Sequence, residues 1–377
     1  MSQVTTTAGI EEHFQDLTDP RRREGTYPLV NIVVMALCAV ISGADDFVSI
    51  AKWANMKKDW LAKLLDMSAG VPSHDRFNAI LGALKPAEFE KCLLSWITAL
   101  HAISGGQVVA IDGKTLRRSF DAASSKAAIH MVSAWATANH ISLGQVVTDA
   151  KSNEITAIPK LLEILEIQGC LVTIDAMGCQ RGIAQQIVEA QADYVLAVKD
   201  NQPKLHEAIH EFFAQHLEDD CESIACRRYE SHEKGHGRLD DRYYYLAKLS
   251  DDFPFKEKWP GLKAIGMAVR VTEHQSGKQS DDVRYYIASR YLSGKKFAAA
   301  VRGHWGVENS LHWQLDVTFG EDQSRLRKGH ADANFSLLRR TSLSLLKNNQ
   351  TEKVGVKNKR LCAAWDDSYR LKVLCGE

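Results

Sequence analysis

Apolar and polar positions follow two different grammars along this chain, and the change comes near residue 106. The first stretch reads as helical. Leu29 to Ile41 is apolar nearly all round, which predicts a helix central to its bundle. FVSIAKWANMKKDWLAKLLDM, starting at Phe47, places apolar residues three and four apart, the mark of an amphipathic helix. Pro72-Ser73-His74-Asp75 then punctuates, with Ser73 positioned to cap RFNAILGAL. Lys85-Pro86 breaks the pattern again, and FEKCLLSWITALHAI forms a last helix ending at Gly105-Gly106.

Beyond those glycines the runs shorten and alternate. QVVAIDGKTL reads as a buried strand ending in a carboxylate, and IHMVSAWATANHISLGQVVTDA as two β-rich runs with a hairpin turn expected over His140–Gly144. SNEITAIPKLLEILEIQG is a predicted helix with Ile158, Leu161, Leu162 and Leu165 on one face and Gly169 as its end. CLVTIDAMGCQ is a second buried strand running into a carboxylate. A helix over QRGIAQQIVEAQ and a strand over ADYVLAVKDNQ follow. Three strands, helix, strand, helix, strand is the layout of a ribonuclease H-like core, a mixed five-stranded sheet flanked by helices. Residues 204–290 read as a β-rich insertion, and a long helix from about Lys295 to Leu315 returns the chain to the core. The expected organisation is α/β: an N-terminal helical domain (1–105), a core with its insertion (106–345) and a basic C-terminal tail (346–377).

Composition narrows the field only slightly. A chain of 377 residues is long enough for two domains, and 45% hydrophobic with 25% charged residues is an ordinary globular balance. Lys+Arg and Asp+Glu are both 47, so the total charge does not argue for a polyanionic partner. Its distribution is uneven: from Arg325 to the C-terminus twelve Lys/Arg face five acids. That excess suits a phosphate backbone, although a solvated helical face accounts for it equally well. The eight cysteines are scattered without CxxC pairs, as expected of reduced thiols in a cytoplasmic protein. The apolar run from residue 28 is shorter than the ~20 residues needed to cross a bilayer, so neither a membrane span nor export is expected.

Three acids carry the candidate chemistry. Asp112 and Asp175 each close an apolar run, VVAID and CLVTID. A buried carboxylate is costly unless something positive faces it. Two at neighbouring strand ends would concentrate negative charge for a hard divalent cation, Mg²⁺ or Mn²⁺. Taken singly, each aspartate equally well starts a turn, as in Asp112-Gly113. Glu308 shares a helical face with Val301, His304, Trp305, Leu311, His312 and Leu315, where an acid needs either a function or a salt bridge, with Arg302 or Lys114 in reach. His304, Glu308 and His312 could together hold a transition metal, but packing or DNA contact suits the histidines better. His232-Glu233-Lys234-Gly235-His236 matches the HExxH zinc pattern in letters. That pattern works on a helix, and the glycines predict a turn instead.

At this point the chain resembles a known family: DDE transposases of bacterial insertion sequences, in particular the H-repeat-associated proteins found with Rhs elements. The matching segments are AIDGKTLR (110–117), KSNEITAIP (151–159), TIDAMGCQ (173–180), YVLAVKDNQP (194–203), GHGRLDDR (235–242) and VRGHWGVENSLHWQLDVTFGED (301–322), with SHDRF (73–77) in the helical part. The resemblance spans nearly the whole chain. It implies that Asp112, Asp175 and Glu308 bind metal and catalyse two-metal phosphoryl transfer on double-stranded DNA, both element ends and target, by a protein acting as a homodimer in the bacterial nucleoid. Lys114, Lys199, Arg302, His304 and Arg325 are the candidate DNA contacts, and the N-terminal helices the candidate reader of DNA ends. One departure stands out. The wider group carries a Tyr and an Arg before the glutamate and a Lys seven residues after it. Arg302 is present, but residue 299 is Ala and 315 is Leu, leaving Arg325, Arg327 or Lys328 to take over. Two alternatives remain at this stage: a DNA-binding remnant without catalysis, and a zinc-dependent hydrolase through His232 and His236.

Overall fold

Helices account for the chain as far as residue 100: α1 (Ile10–His13), α2 (Leu29–Ile41), α3 (Phe47–Met56), α4 (Lys58–Leu61), α5 (His74–Leu81) and α6 (Pro86–Leu100). This computed structural model describes residues 9–22, 25–100, 107–116, 129–138, 140–148, 154–235, 238–274 and 279–377, without the side chains of 115–116, 129–130, 147–148 and 308–309. The all-round apolar α2 is buried from Asn31 to Ile41 and lies at the centre of the helical part. Short polar side chains start two of its neighbours: Asp46 accepts the Ser49 N–H at 2.7 Å, and Ser73 accepts that of Arg76 at 3.3 Å. No described helix is long and apolar enough to cross a membrane.

The second half is built on one mixed sheet. Its elements in chain order are β1 (Val108–Leu116), β2 (Ile129–Ala136), β3 (Ile141–Thr148), α7 (Glu154–Ile164), β4 (Leu171–Ile174), α8 (Arg181–Glu189), β5 (Asp193–Val198), α9 (Pro203–His216), β6 (Cys226–Gly235), β7 (Arg238–Lys248), β8 (Ala264–His274) and β9 (Gln279–Ala288). The strand order is β3-β2-β1-β4-β5-β9-β8-β7-β6. The strands of the expected β-rich insertion therefore join the same sheet as the expected five-stranded core, giving nine strands among the described residues. The reason is physical. The outer edge of β5 offers unpaired backbone groups, and the apolar end of β9 covers it, Val195 pairing with Ala288 and Val198 with Tyr285.

Two boundaries differ from expectation. The chain turns between Ala136 and Ile141 rather than over His140–Gly144, because Ile141 and Ser142 already pair with Ala136 and Trp135. Helix α7 stops at Ile164, and Gly169 (φ 74°) instead forms the turn into β4, its N–H donating to Gln191 O at 3.0 Å.

After the sheet come α10 (Gly294–Val307), a π-helical turn (Glu308–His312), α11 (Trp313–Val317), α12 (Ala331–Asn348), α13 (Val356–Trp365) and α14 (Asp367–Cys375). The helix expected from Lys295 to Leu315 is thus interrupted at Glu308, and π-turns of this kind concentrate at functional sites. Helix α12 is buried from Ala331 to Leu346 and packs against α2, α6 and β3, so helical part and sheet share one core. Residues 346–377 are folded helices rather than a tail. Five of the twelve cations counted from Arg325 onward, Arg339, Arg340, Lys359, Arg360 and Arg370, lie in the interior. Arg360 donates from Nη2 to Val40 O and to Asp45 Oδ1 (3.0 and 2.8 Å), closing the C-terminal end of α2. These five cations hold the fold together and are not available to a phosphate backbone.

Candidate active site

Pairing register alone assembles the first half of the site. Strands β1 and β4 run parallel with Ile111 opposite Ile174, so the next residues, Asp112 and Asp175, emerge side by side from strands ~4.8 Å apart. Each aspartate is half-buried and has one local anchor. Asp112 Oδ1 accepts the Gly113 N–H at 2.9 Å, and Asp175 Oδ1 accepts that of Gly178 at 3.3 Å. Gly178 is needed there, since a Cβ would fall 2.2 Å from Ile174 Cγ2. Both carboxylates line a cavity of about 150 Å³, with Thr173, Lys199, Arg284 and His304 among its walls.

Helix α10 and the π-turn cover this end of the sheet. His304 Nδ1 lies 3.3 Å from Thr173 Oγ1, and burial holds its pKa down although Asp175 opposes the shift. His312 Nδ1 lies 3.5 Å from Asp112 Oδ2. Burial, reinforced by Arg340 and Lys114, pushes the His312 imidazole down to about 3, so a neutral ring meets the carboxylate. The backbone of Glu308 opens the π-turn one helical turn beyond His304; its side chain lies outside the described residues. Among the described residues no three His, Cys, Asp or Glu side chains form a metal-holding group.

The cations expected here separate. Lys114, two residues after Asp112 and on the same face of β1, is 8% exposed and bridges Asp316 Oδ1 (2.5 Å) and Glu321 Oε2 (2.8 Å). Burial would raise the Glu321 carboxyl, but Lys114, Arg340 and Arg339 hold it at about 2, and Ser336 Oγ donates to it at 2.7 Å. Burial raises Asp316 instead. A lysine held in this way is a structural link rather than a phosphate contact. Arg302 pairs with Glu233, which also receives Arg242 Nη1 at 2.8 Å. The two cations that sequence offered Glu308 therefore both have other acids as partners. Lys199 is exposed on the cavity wall just past β5, and Arg325 is exposed beyond the turn after α11.

The zinc pattern dissolves in this geometry. Residues His232 to Gly235 belong to β6, not to a turn or a helix, and His232 Nδ1 sits 2.7 Å from Asp241 across the hairpin. The zinc pattern needs a helix to bring both histidines to one ion, and His232 to Gly235 lie on a strand; His236 lies outside the described residues. Sequence reading missed Arg284. It comes from the last inserted strand, its guanidinium lies 3.6 Å over the Trp305 ring, and no local pattern links residue 284 to residue 112.

Comparison with known proteins adds the family context. Residues 103–345 match the transposase DDE domain family, and residues 11–97 match the family model described as DDE_Tnp_1-associated. "Putative transposase YncI" of Escherichia coli O157:H7 is 41% identical over 356 residues, covering 93% of this chain and 90% of that protein. "H repeat-associated putative transposase YhhI" of Escherichia coli K12 is 38% identical over 376 residues, 97% of this chain and 98% of the other. Among solved structures, a piggyBac transposase synaptic complex with hairpin DNA aligns with 97% of this chain and 77% of its own at 11% identity and a TM-score of 0.38, too distant to fix the fold.

Proposed function

The chain belongs to the DDE transposase family, and from that premise we propose that it cuts DNA at the ends of an insertion element and joins them to a target. One observation carries this reading: register places Asp112 and Asp175 side by side on a cavity that also meets Lys199 and Arg284. The order β3-β2-β1-β4-β5, antiparallel then parallel, supports a ribonuclease H-like core extended on one edge.

The donor set suits a hard cation. Two carboxylates on adjacent strands, Asp112 midway along β1 and Asp175 just past the end of β4, supply oxygen ligands, and Lys114, which could have neutralised Asp112, is drawn away by Asp316 and Glu321. Asp112, Asp175 and Glu308 would hold Mg²⁺ or Mn²⁺. A bound pair of such ions supplies Lewis-acid activation of the attacking oxygen and charge stabilisation at the leaving oxygen. His312 steadies Asp112 as a neutral ring without cancelling its charge. Lys199, Arg284 and Arg325 offer positive charge to the phosphates, and His304 fixes α10 to β4 through Thr173. Two ends must be paired for joining, so the working form on DNA is a homodimer.

The test is Mg²⁺-dependent nicking of duplexes carrying the inverted repeats that flank this reading frame. Wild type nicks them, and Asp112→Asn and Asp175→Asn bind the same duplex without cutting it. Equal nicking by wild type and Asp112→Asn would overturn the proposal. End binding with no cleavage by wild type in either Mg²⁺ or Mn²⁺ would reduce the protein to a DNA-binding remnant.

A further inference from the structure

A second cavity lies at the opposite end of the sheet. It opens where β1, β4 and β5 begin, ~13 Å along β1 from Asp112, and measures about 370 Å³. Its floor is apolar, with Val108, Leu171 and Leu292 exposed to it. Its rim is cationic: Arg227 from β6, Arg290 from the link after β9, and Lys296 in the first turn of α10. Among the described residues the lining contains one acid, Asp193, which Arg290 Nη1 approaches at 3.3 Å and Ser289 Oγ at 2.9 Å. Three cations against one carboxylate leave a net positive rim.

The rim is held in place. The Arg227 guanidinium lies 4.1 Å over the Tyr291 ring and donates from Nη1 to Tyr291 O at 2.9 Å, one of its five N–H donors. Gly294 lets the start of α10 touch β6, since a Cβ there would fall 2.3 Å from Arg228 O. That contact pins Lys296 close to Arg227 and directs the positive end of a fourteen-residue helix at the same opening.

Size and lining together select a ligand. The volume falls within the ~300–1,000 Å³ range of small-molecule sites. An inorganic anion alone would leave the apolar floor uncovered, and a purely apolar ligand would desolvate the cations without compensation. We propose that this cavity binds a nucleoside phosphate, its base on the Val108–Leu171–Leu292 floor and its phosphate on Arg227, Arg290 and Lys296. The same chemistry has two sources, a free mononucleotide or the 5′-phosphorylated end of a DNA strand.

Titration calorimetry on the full chain separates them, using 5′-dAMP, deoxyadenosine, inorganic phosphate and a 5′-phosphorylated single-stranded oligonucleotide. The proposal expects dAMP or the oligonucleotide to bind, with deoxyadenosine and inorganic phosphate weaker by about tenfold or more. Binding of dAMP identifies the free nucleotide as the source, and binding of the oligonucleotide alone identifies the strand end. Lys296 is exposed, so Lys296→Glu should keep the wild-type circular dichroism spectrum. It should weaken binding by about tenfold to a hundredfold, the worth of one charged hydrogen bond. Arg227→Ala should act in the same direction. Absence of binding by both dAMP and the oligonucleotide, inorganic phosphate matching dAMP, or wild-type affinity in Lys296→Glu would each overturn it. Because binding is read directly, such a failure leaves the DNA-cleavage reading standing.

Discussion

Replacing Lys114 with methionine should destabilise the protein more than any single exposed charge can. The ammonium is 8% exposed between Asp316, whose side chain is 31% exposed, and Glu321, which is fully enclosed. Methionine keeps the length of the stem but strands Glu321 as a buried anion with Arg339 and Arg340 as its remaining counter-charges. Breaking a buried pair by removing one partner costs about 3–5 kcal/mol. With a urea m-value of roughly 3 kcal/mol/M for a chain of this size, the midpoint should fall by ~1–1.7 M. The sign with pH follows from Glu321, held at about 2 against its ordinary 4.5. A depressed carboxyl contributes stability above pH 4.5 that is lost as pH falls toward 2, so wild type and variant should converge in that window. Adding Glu321→Gln to Lys114→Met should recover part of the loss, a coupling of about 1–3 kcal/mol. A Lys114→Met midpoint within 0.3 M of wild type (about 1 kcal/mol at that slope) at pH 7 would refute the claim that this bridge is a structural link from β1 to α11 and the turn after it.

Three further outcomes are expected. Burial pushes the Glu90 carboxyl up to about 8 despite the Gln145 N–H at 2.6 Å. A raised carboxyl costs stability as pH rises from its ordinary 4.5 toward 8, so Glu90→Gln should remove a pH-dependent loss of up to roughly 4 kcal/mol, seen in urea melts at pH 5 and pH 8. Gly294→Ala forces its Cβ against Arg228 O at 2.3 Å, and the displacement of α10 should cost about 1–3 kcal/mol by the same melts. Lys199→Ala should weaken binding to element-end duplexes and lower the slope of log affinity against log salt by about 1, read from gel shifts at several salt concentrations.

The parts of the fold legible in the sequence are those fixed by near neighbours. The apolar run Leu29–Ile41 had to be buried whichever partners covered it. Ser73 capped its helix because the N–H it accepts is only three residues away. VVAID and CLVTID read as strands because their apolar runs are buried, but only β4 stops at its acid, whereas β1 runs on past Asp112 to Leu116. What escaped depends on distant partners. The Arg339 and Arg340 guanidiniums look like a basic segment until Glu321, Glu90 and Asp45 are brought to them by the fold. Lys114 looks like a phosphate contact until Glu321, 207 residues on, closes over it. Arg284 enters the site only through the register of β9 on β5, and the π-turn at Glu308 shifts helix phase where spacing arguments assume it constant.

Manganese titration followed by electron paramagnetic resonance addresses the convergence of the three acids most directly, because bound Mn²⁺ removes the signal of the free ion. With an element-end duplex present, wild type should take up Mn²⁺, and Asp112→Asn, Asp175→Asn and Glu308→Gln should each abolish or sharply weaken that uptake. Undiminished Mn²⁺ binding by Glu308→Gln would mean that the π-turn acid does not share a cation with Asp112 and Asp175, and the three-acid site would be contradicted.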